Sequence, residues 1–160
     1  MKEVRFSDVG LNMEDLEIAK KHLKDEGSTL TIVKGKQILF DTASHGISGF
    51  LKAIEELGKR LNGASAADKI VGKAVALLCF HAGIERVYAS VMSREAKELF
   101  EENCIHAEWD ELVGNIISNC KPATCPFEKL ATEITDPSEA YKKLKALQDS
   151  LEQRRWKDDQ

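Results

Sequence analysis

Ala67-Asp68-Lys69-Ile70-Val71-Gly72-Lys73-Ala74 is the stretch on which the reading of this chain turns. It sets one acid and two lysines directly ahead of the apolar residues 74–80. Ser65, followed three residues later by Asp68, matches an N-terminal capping pair. The spacing therefore predicts a helix that starts near residue 65, carries Ile70, Val71, Ala74, Leu77, Leu78 and Phe80, and stops at Gly83. Apolar residues on nearly every side of it predict a helix sandwiched between layers. The mouth of such a helix gathers unpaired N–H groups and the positive end of the peptide dipole, which suits an anion. Asp68 completes the cap or orients a ligand as a base. Lys69 and Lys73, four apart on one helical face, repel each other mildly unless an anion lies between them. Gly72 leaves room for a ligand or a second backbone to approach. A phosphate loop is excluded, because Ala67 stands where that pattern needs Gly and Ala74 where it needs Ser or Thr.

Upstream, Asn12 and Asp15 mark a helix start with Leu16, Ala19 and Leu23 on one face, ending at Gly27. Residues 29–33 and 37–40 are β-rich and flank Lys34-Gly35-Lys36, a hairpin signal. After Gly46, the positions Ile47, Phe50, Leu51, Ile54, Leu57 and Leu61 keep helical spacing up to Asn62-Gly63. Downstream, residues 86–91 read as a buried strand, Ser93 caps a helix through Glu102, and residues 105–109 give another strand. That order implies a parallel pair joined by a crossover. Residues 111–117 read as a short helix, and Pro126 opens a further one. Asp136-Pro137-Ser138-Glu139 starts a C-terminal helix over 137–156, ahead of a frayed charged tail at 157–160. With no repeat and no long linker, residues 1–160 form one three-layer α/β/α domain around a mixed sheet.

Cys125-Pro126-Phe127-Glu128-Lys129 carries a second concentration of chemistry. A thiol beside the first turn of a helix favours thiolate. Glu128, three residues on, shares that face as a ligand-binding group or a cap. Cys120 and Cys125 make only a Cys-x4-Cys pair, a weak metal signature without a second pair. The sequence therefore assigns no metal and no cofactor. Ser44-His45-Gly46, between the hairpin and the next helix, offers N–H groups to an anion or carboxylate. Cys79, inside the apolar run, reads as a small core residue.

A chain of 160 residues with 42% hydrophobic and 31% charged residues can bury a real core. The net charge of −4 argues against a nucleic-acid footprint, which is normally a basic stripe. No apolar run approaches the roughly 20 residues of a membrane span. The charged start Met1-Lys2-Glu3-Val4-Arg5 has no secretory h-region, so the expected location is cytoplasmic, with reduced thiols.

The Lys34-Gly35 hairpin, Ser44-His45-Gly46-Ile47, Asp68-Lys69-Ile70-Val71-Gly72-Lys73-Ala74, Val87-Tyr88-Ala89 and Cys125-Pro126-Phe127-Glu128-Lys129 together carry a resemblance. Over roughly residues 18–141 the chain resembles a family of uncharacterised bacterial proteins with a cytidine-deaminase-like fold. The resemblance implies that fold and candidate positions, but no reaction. Zinc deaminases place a His or Cys with a nearby Glu on one helix and a Pro-Cys-x-x-Cys turn on the next. Asp68-Lys69-Ile70 and Val91-Met92-Ser93-Arg94 supply neither motif.

The expected protein is thus a deaminase-fold chain without the zinc site that binds a small anionic or nucleotide-like ligand. Ser44, Gly46, Lys69, Gly72, Lys73 and Glu128 are its expected binding residues, and Asp68 and Cys125 its candidate catalytic groups. A metal-independent enzyme with a Cys125 nucleophile and an interaction module using the C-terminal helix are the alternatives. Homo-oligomerisation is compatible with all three.

Overall fold

Residues 65–71 form a strand, which is the main departure from the helix expected there. The computed structural model describes residues 6–44, 47–114 and 126–158. In chain order the elements are α1 (Phe6–Asp25), β1 (Leu30–Lys34), β2 (Gln37–Thr42), α2 (Ser48–Leu57), a 3₁₀ turn (Gly58–Leu61), β3 (Ser65–Val71), α3 (Lys73–Ala82), β4 (Arg86–Ser93), α4 (Arg94–Glu102), β5 (His106–Val113), α5 (Pro126–Ala131) and α6 (Pro137–Asp158). The mixed sheet runs β2-β1-β3-β4-β5. β1 is antiparallel to both neighbours, whereas β3, β4 and β5 are mutually parallel.

β3 therefore lies at the centre. Leu30 opposes Asp68 on one side and Ala89 opposes it on the other. Ala, Asp and Lys are poor strand formers in isolation, but strand preference follows burial and cross-strand neighbours more than intrinsic tendency. Here Ser65, Ala66 and Ala67 are buried, and the two alanines face opposite layers. Ala67 joins Leu16, Ala19, Leu23, Val33 and Tyr88 beneath α1. Ala66 joins the larger core beneath α2, α3 and α4. Small side chains let both layers approach the sheet closely. A strand buried on both faces loses the alternating pattern that would have identified it.

The Ser65–Asp68 capping pair is consequently absent, and α3 begins at Lys73. Lys69 and Lys73 do not share a helical face: Lys69 is an exposed residue two along from Ala67, on the α1 side of the sheet. Residues 111–113, expected as helix, continue β5, while 115–117 fall outside the described residues. Helix α1 starts at Phe6 rather than near Asn12, and α6 continues to Asp158.

Other local signals hold. Gly35 (φ 59°) and Lys36 (φ 66°) are both left-handed, as a tight hairpin turn requires. Asp15, read as a helix start, instead lies within α1 and accepts the N–H groups of Gly35 (2.9 Å) and Lys36 (2.8 Å), fastening the helix to the turn. Ser93 caps α4 through the Ala96 N–H at 3.1 Å, an arrangement worth about 1 kcal/mol. Asp136 does the same for α6 through the Glu139 N–H. Helices α5 and α6 pack on α3, and α6 buries Ala140 and Leu144 in the main core. Cys79 is fully buried there, as expected of a core thiol.

If Ala67 is small because α1 closes on the sheet at that point, Ala67→Leu should destabilise the protein by about 1–3 kcal/mol. Urea unfolding would measure it. A neutral effect would show that the α1 layer has slack over β3.

Candidate functional site

The carboxyl end of β3 leads through Gly72 into α3, so the first N–H groups of that helix open at the end of the central strand. A carboxylate already occupies them. Glu128, on α5, accepts the Lys73 N–H through Oε2 and the Ala74 N–H through Oε1, both at 2.9 Å. The two oxygens take two consecutive donors, a fork geometry suited to a planar carboxylate. The helix dipole adds to the attraction.

Gly72 makes this contact sterically feasible. A Cβ at residue 72 would lie 2.3–2.7 Å from the Glu128 carboxylate atoms. The backbone there is extended (φ −109°, ψ −169°), so the need for glycine is one of space and not of left-handed conformation. Lys73 is buried, with 8% of its surface exposed. Its Nζ donates to the Thr132 carbonyl, just past the end of α5, at 2.9 Å and lies 3.7 Å from Glu95 in the first turn of α4. Three elements, α3, α4 and α5, thus meet around one lysine.

Burial pushes the Glu128 carboxyl above its usual range; the N–H groups of Ala74 and Lys73 oppose that rise, Glu95 adds to it and the Lys73 charge offsets it. Asp68 is shifted further. Burial raises its pKa to about 7, against a partial offset from the N–H groups of Ile70 and Lys69. It shares its face of the sheet with Ala66; the Cys79 thiol on α3 is pushed up chiefly by its burial and further by the Asp68 charge. A carboxyl that is half protonated near neutral pH can donate or accept a hydrogen bond, which fits acid–base work or the reading of a polar ligand.

The remaining expected site residues are distributed unevenly. Ser44 is exposed, and its carbonyl accepts the Thr29 hydroxyl at 2.6 Å. The Thr29 carbonyl in turn accepts the Lys69 N–H at 3.0 Å, which ties the loop after β2 to the end of β3. Ser44 also lines an open cleft of about 480 Å³ between α2 and α6 whose lining includes neither Asp68 nor Lys73. The Lys69 side chain is separated by the sheet from the Asp68 carboxyl. Cys125, Cys120, His45 and Gly46 lie outside the described residues. Glu95 and Thr132 were missed by sequence reasoning. Glu95 is recognisable as an acid in the first turn after the Ser93 cap, whereas a backbone carbonyl such as that of Thr132 leaves no trace in the sequence.

The starts of α3 and α4 carry Gly72-Lys73-Ala74 and Ser93-Arg94-Glu95, without His or Cys, and no group of three or more His, Cys, Asp or Glu that could hold a metal ion occurs among the described residues. Cys79, further along α3, is fully buried in the core.

Two substitutions test this geometry. Gly72→Ala should expel Glu128 and cost about 2 kcal/mol, the scale of charge-assisted hydrogen bonds lost. In a Glu128→Ala background the same change should cost less than about 0.5 kcal/mol, and a denaturation double-mutant cycle reads the coupling. For Asp68, a folded pKa above the unfolded value gives stability that is complete below about pH 4 and lost as pH rises through about 7. Asp68→Asn should therefore flatten the stability profile between pH 4 and 8. It should gain on the order of 1–2 kcal/mol over the parent at pH 8, after allowance for partial exposure of Asp68. An unchanged pH profile would show that the carboxyl titrates normally.

A family model for a domain of unknown function, TM1506 (DUF1893), matches residues 18–148. The crystal structure of a DUF1893 family protein (TM1506) from Thermotoga maritima superposes with a TM-score of 0.74 and 23% sequence identity, covering 90% of this chain and 92% of that one. At that identity the likeness speaks for the fold alone. No curated protein matches the chain. With the family model spanning most of its length, the chain belongs to the DUF1893 family.

Proposed function

We propose that this protein binds a small anionic ligand, a carboxylate or nucleotide-like metabolite, at the mouth of α3, on a cytidine-deaminase-like scaffold that has dispensed with zinc. The observation that carries the reading is the Glu128 carboxylate held by the N–H groups of Lys73 and Ala74 above Gly72. That arrangement is an anion seat with donors, clearance and a neighbouring buried cation. Its place in the fold supports the same reading, since open α/β sheets gather ligands beyond the carboxyl ends of their strands. The deaminase-like assignment draws support from the strand order β2-β1-β3-β4-β5, with an antiparallel hairpin beside three parallel strands. Asp68, poised near neutrality, is the group best suited to read a ligand's polar atoms or move a proton.

The interaction-module alternative draws less support. Helix α6 buries Ala140 and Leu144 in the main core, so it is built into the fold and not held apart for a partner. The thiol-enzyme alternative rests on Cys125, which lies outside the described residues.

The reading can be tested by titrating isotope-labelled protein with AMP, inorganic phosphate and acetate at millimolar concentration. At least one probe should shift the Lys73 and Ala74 amide resonances saturably, and Lys73→Ala should weaken that binding by about tenfold, the scale of one buried charge contact. Native mass spectrometry of freshly purified protein should show an organic anion that the variant retains less well. Failure of all three probes to perturb these amides, together with a bare chain in the spectrometer, would sink the proposal.

A further inference from the structure

Arg86 opens β4 with its side chain on the α1 face of the sheet, where Nη1 donates to the Met13 thioether on α1 at 3.1 Å. A thioether is a weak acceptor for a guanidinium, whose donors suit oxygen. The adjoining Nε is buried and has no hydrogen-bond partner, the one such side-chain nitrogen or oxygen among the described residues. No described carboxylate forms an ion pair with this half-buried guanidinium either. Those of the facing elements are committed elsewhere: Glu108 to Lys20 and His106, Glu17 to Lys20, and Glu14 to Lys36.

Register sets Ser65 of β3 and His106 of β5 directly beside Arg86, each strand about 4.8 Å from the next. The three share the α1 face. Ser65 is two residues from Ala67, and His106 bonds Glu108, which reaches Lys20 on α1. A cation is thus flanked across the sheet by a hydroxyl and an imidazole and by no acid. A buried N–H without an acceptor is costly, and so is a poorly compensated charge. Arginine grips carboxylate and phosphate side-on in a two-bond fork, and Nε with Nη2 forms that edge. Met13 engages Nη1, outside the edge, through a side chain flexible enough to yield.

We infer that Arg86 is the centre of a second anion site, beneath α1 at the amino ends of β3, β4 and β5, which takes one carboxylate or phosphate group by its Nε–Nη2 edge. Ser65 and His106 border the bound group. The site lies at the opposite end of β3 from the mouth of α3 and stands independently of the reading proposed there.

The experiment reads the arginine directly. The Nε–H resonance of Arg86, assigned by its loss in Arg86→Lys, is followed in isotope-labelled full-length chain. Inorganic phosphate and acetate are titrated separately at constant ionic strength, with chloride as the control. Phosphate or acetate should shift that resonance saturably and slow its exchange with water, and whichever binds names the group. Arg86→Lys keeps the charge and loses the fork, so the response of the Ser65 and His106 amides should weaken about tenfold, the scale of one charge contact. An Nε–H resonance that neither probe moves, or that chloride moves equally, would overturn the site even if Arg86→Lys fails to fold. Equal affinity in Arg86→Lys would also overturn it. The Lys73 and Ala74 amides, read in the same spectra, report separately on the mouth of α3.

Discussion

Strand β3 is the element on which the arrangement of the rest depends. Among the described strands it alone pairs antiparallel on one side, with β1, and parallel on the other, with β4. A parallel neighbour demands a crossover, and α3 supplies it. The helix must therefore start where β3 ends, and its unpaired N–H groups necessarily open at the carboxyl edge of the sheet. The alanines of β3 set the second constraint, because a strand flanked by layers on both faces tolerates little bulk. Topology fixes where the first N–H groups of α3 open, and the small side chains of β3 let the layers on its two faces pack closely against the sheet.

What fills the seat is decided by two opposed penalties. Burying a carboxylate is costly, and an unpaired helix start is costly too; each offsets part of the other when they meet. Two bonds of 2.9 Å and the proximity of Lys73 favour the meeting, while burial and Glu95 oppose it. The Glu128 contact is thus only partly compensated. That distinguishes it from the Asp15 staple, where the N–H groups of an exposed turn close over a carboxylate anchored in a 20-residue helix.

Much of the local chemistry was legible in the sequence, outside β3 and the start of α1, and long-range chemistry was not. The Lys34-Gly35-Lys36 turn, the Ser93 cap, the Asp136 cap and the β4–α4–β5 crossover were all signalled within a few residues of where they act. The β3 strand was hidden because Ser-Ala-Ala-Asp-Lys carries helix-compatible residues and no alternation, and only burial between two layers makes it a strand. Gly72, Lys73 and Glu128 each stood out as candidates, yet their association could not be read, since Glu128 lies 55 residues from Lys73 in sequence. The misassigned helix also placed Lys69 beside Lys73, when the change from helix to strand period turns its side chain to the opposite face of the sheet. What stands at the mouth of α3 is the chain's own Glu128 carboxylate, placed there by where α3 begins and not by what precedes it.

The chemistry open to such a site follows from its donors. Without His or Cys at the starts of α3 and α4, the groups available are an ammonium held by Thr132 and Glu95, helix N–H groups, and a carboxyl whose pKa is about 7. The first two bind anions and steady developing negative charge. The third exchanges a proton near neutral pH. On the binding reading proposed above, the ammonium and the N–H groups would hold the anion and Asp68 would supply or take up the proton.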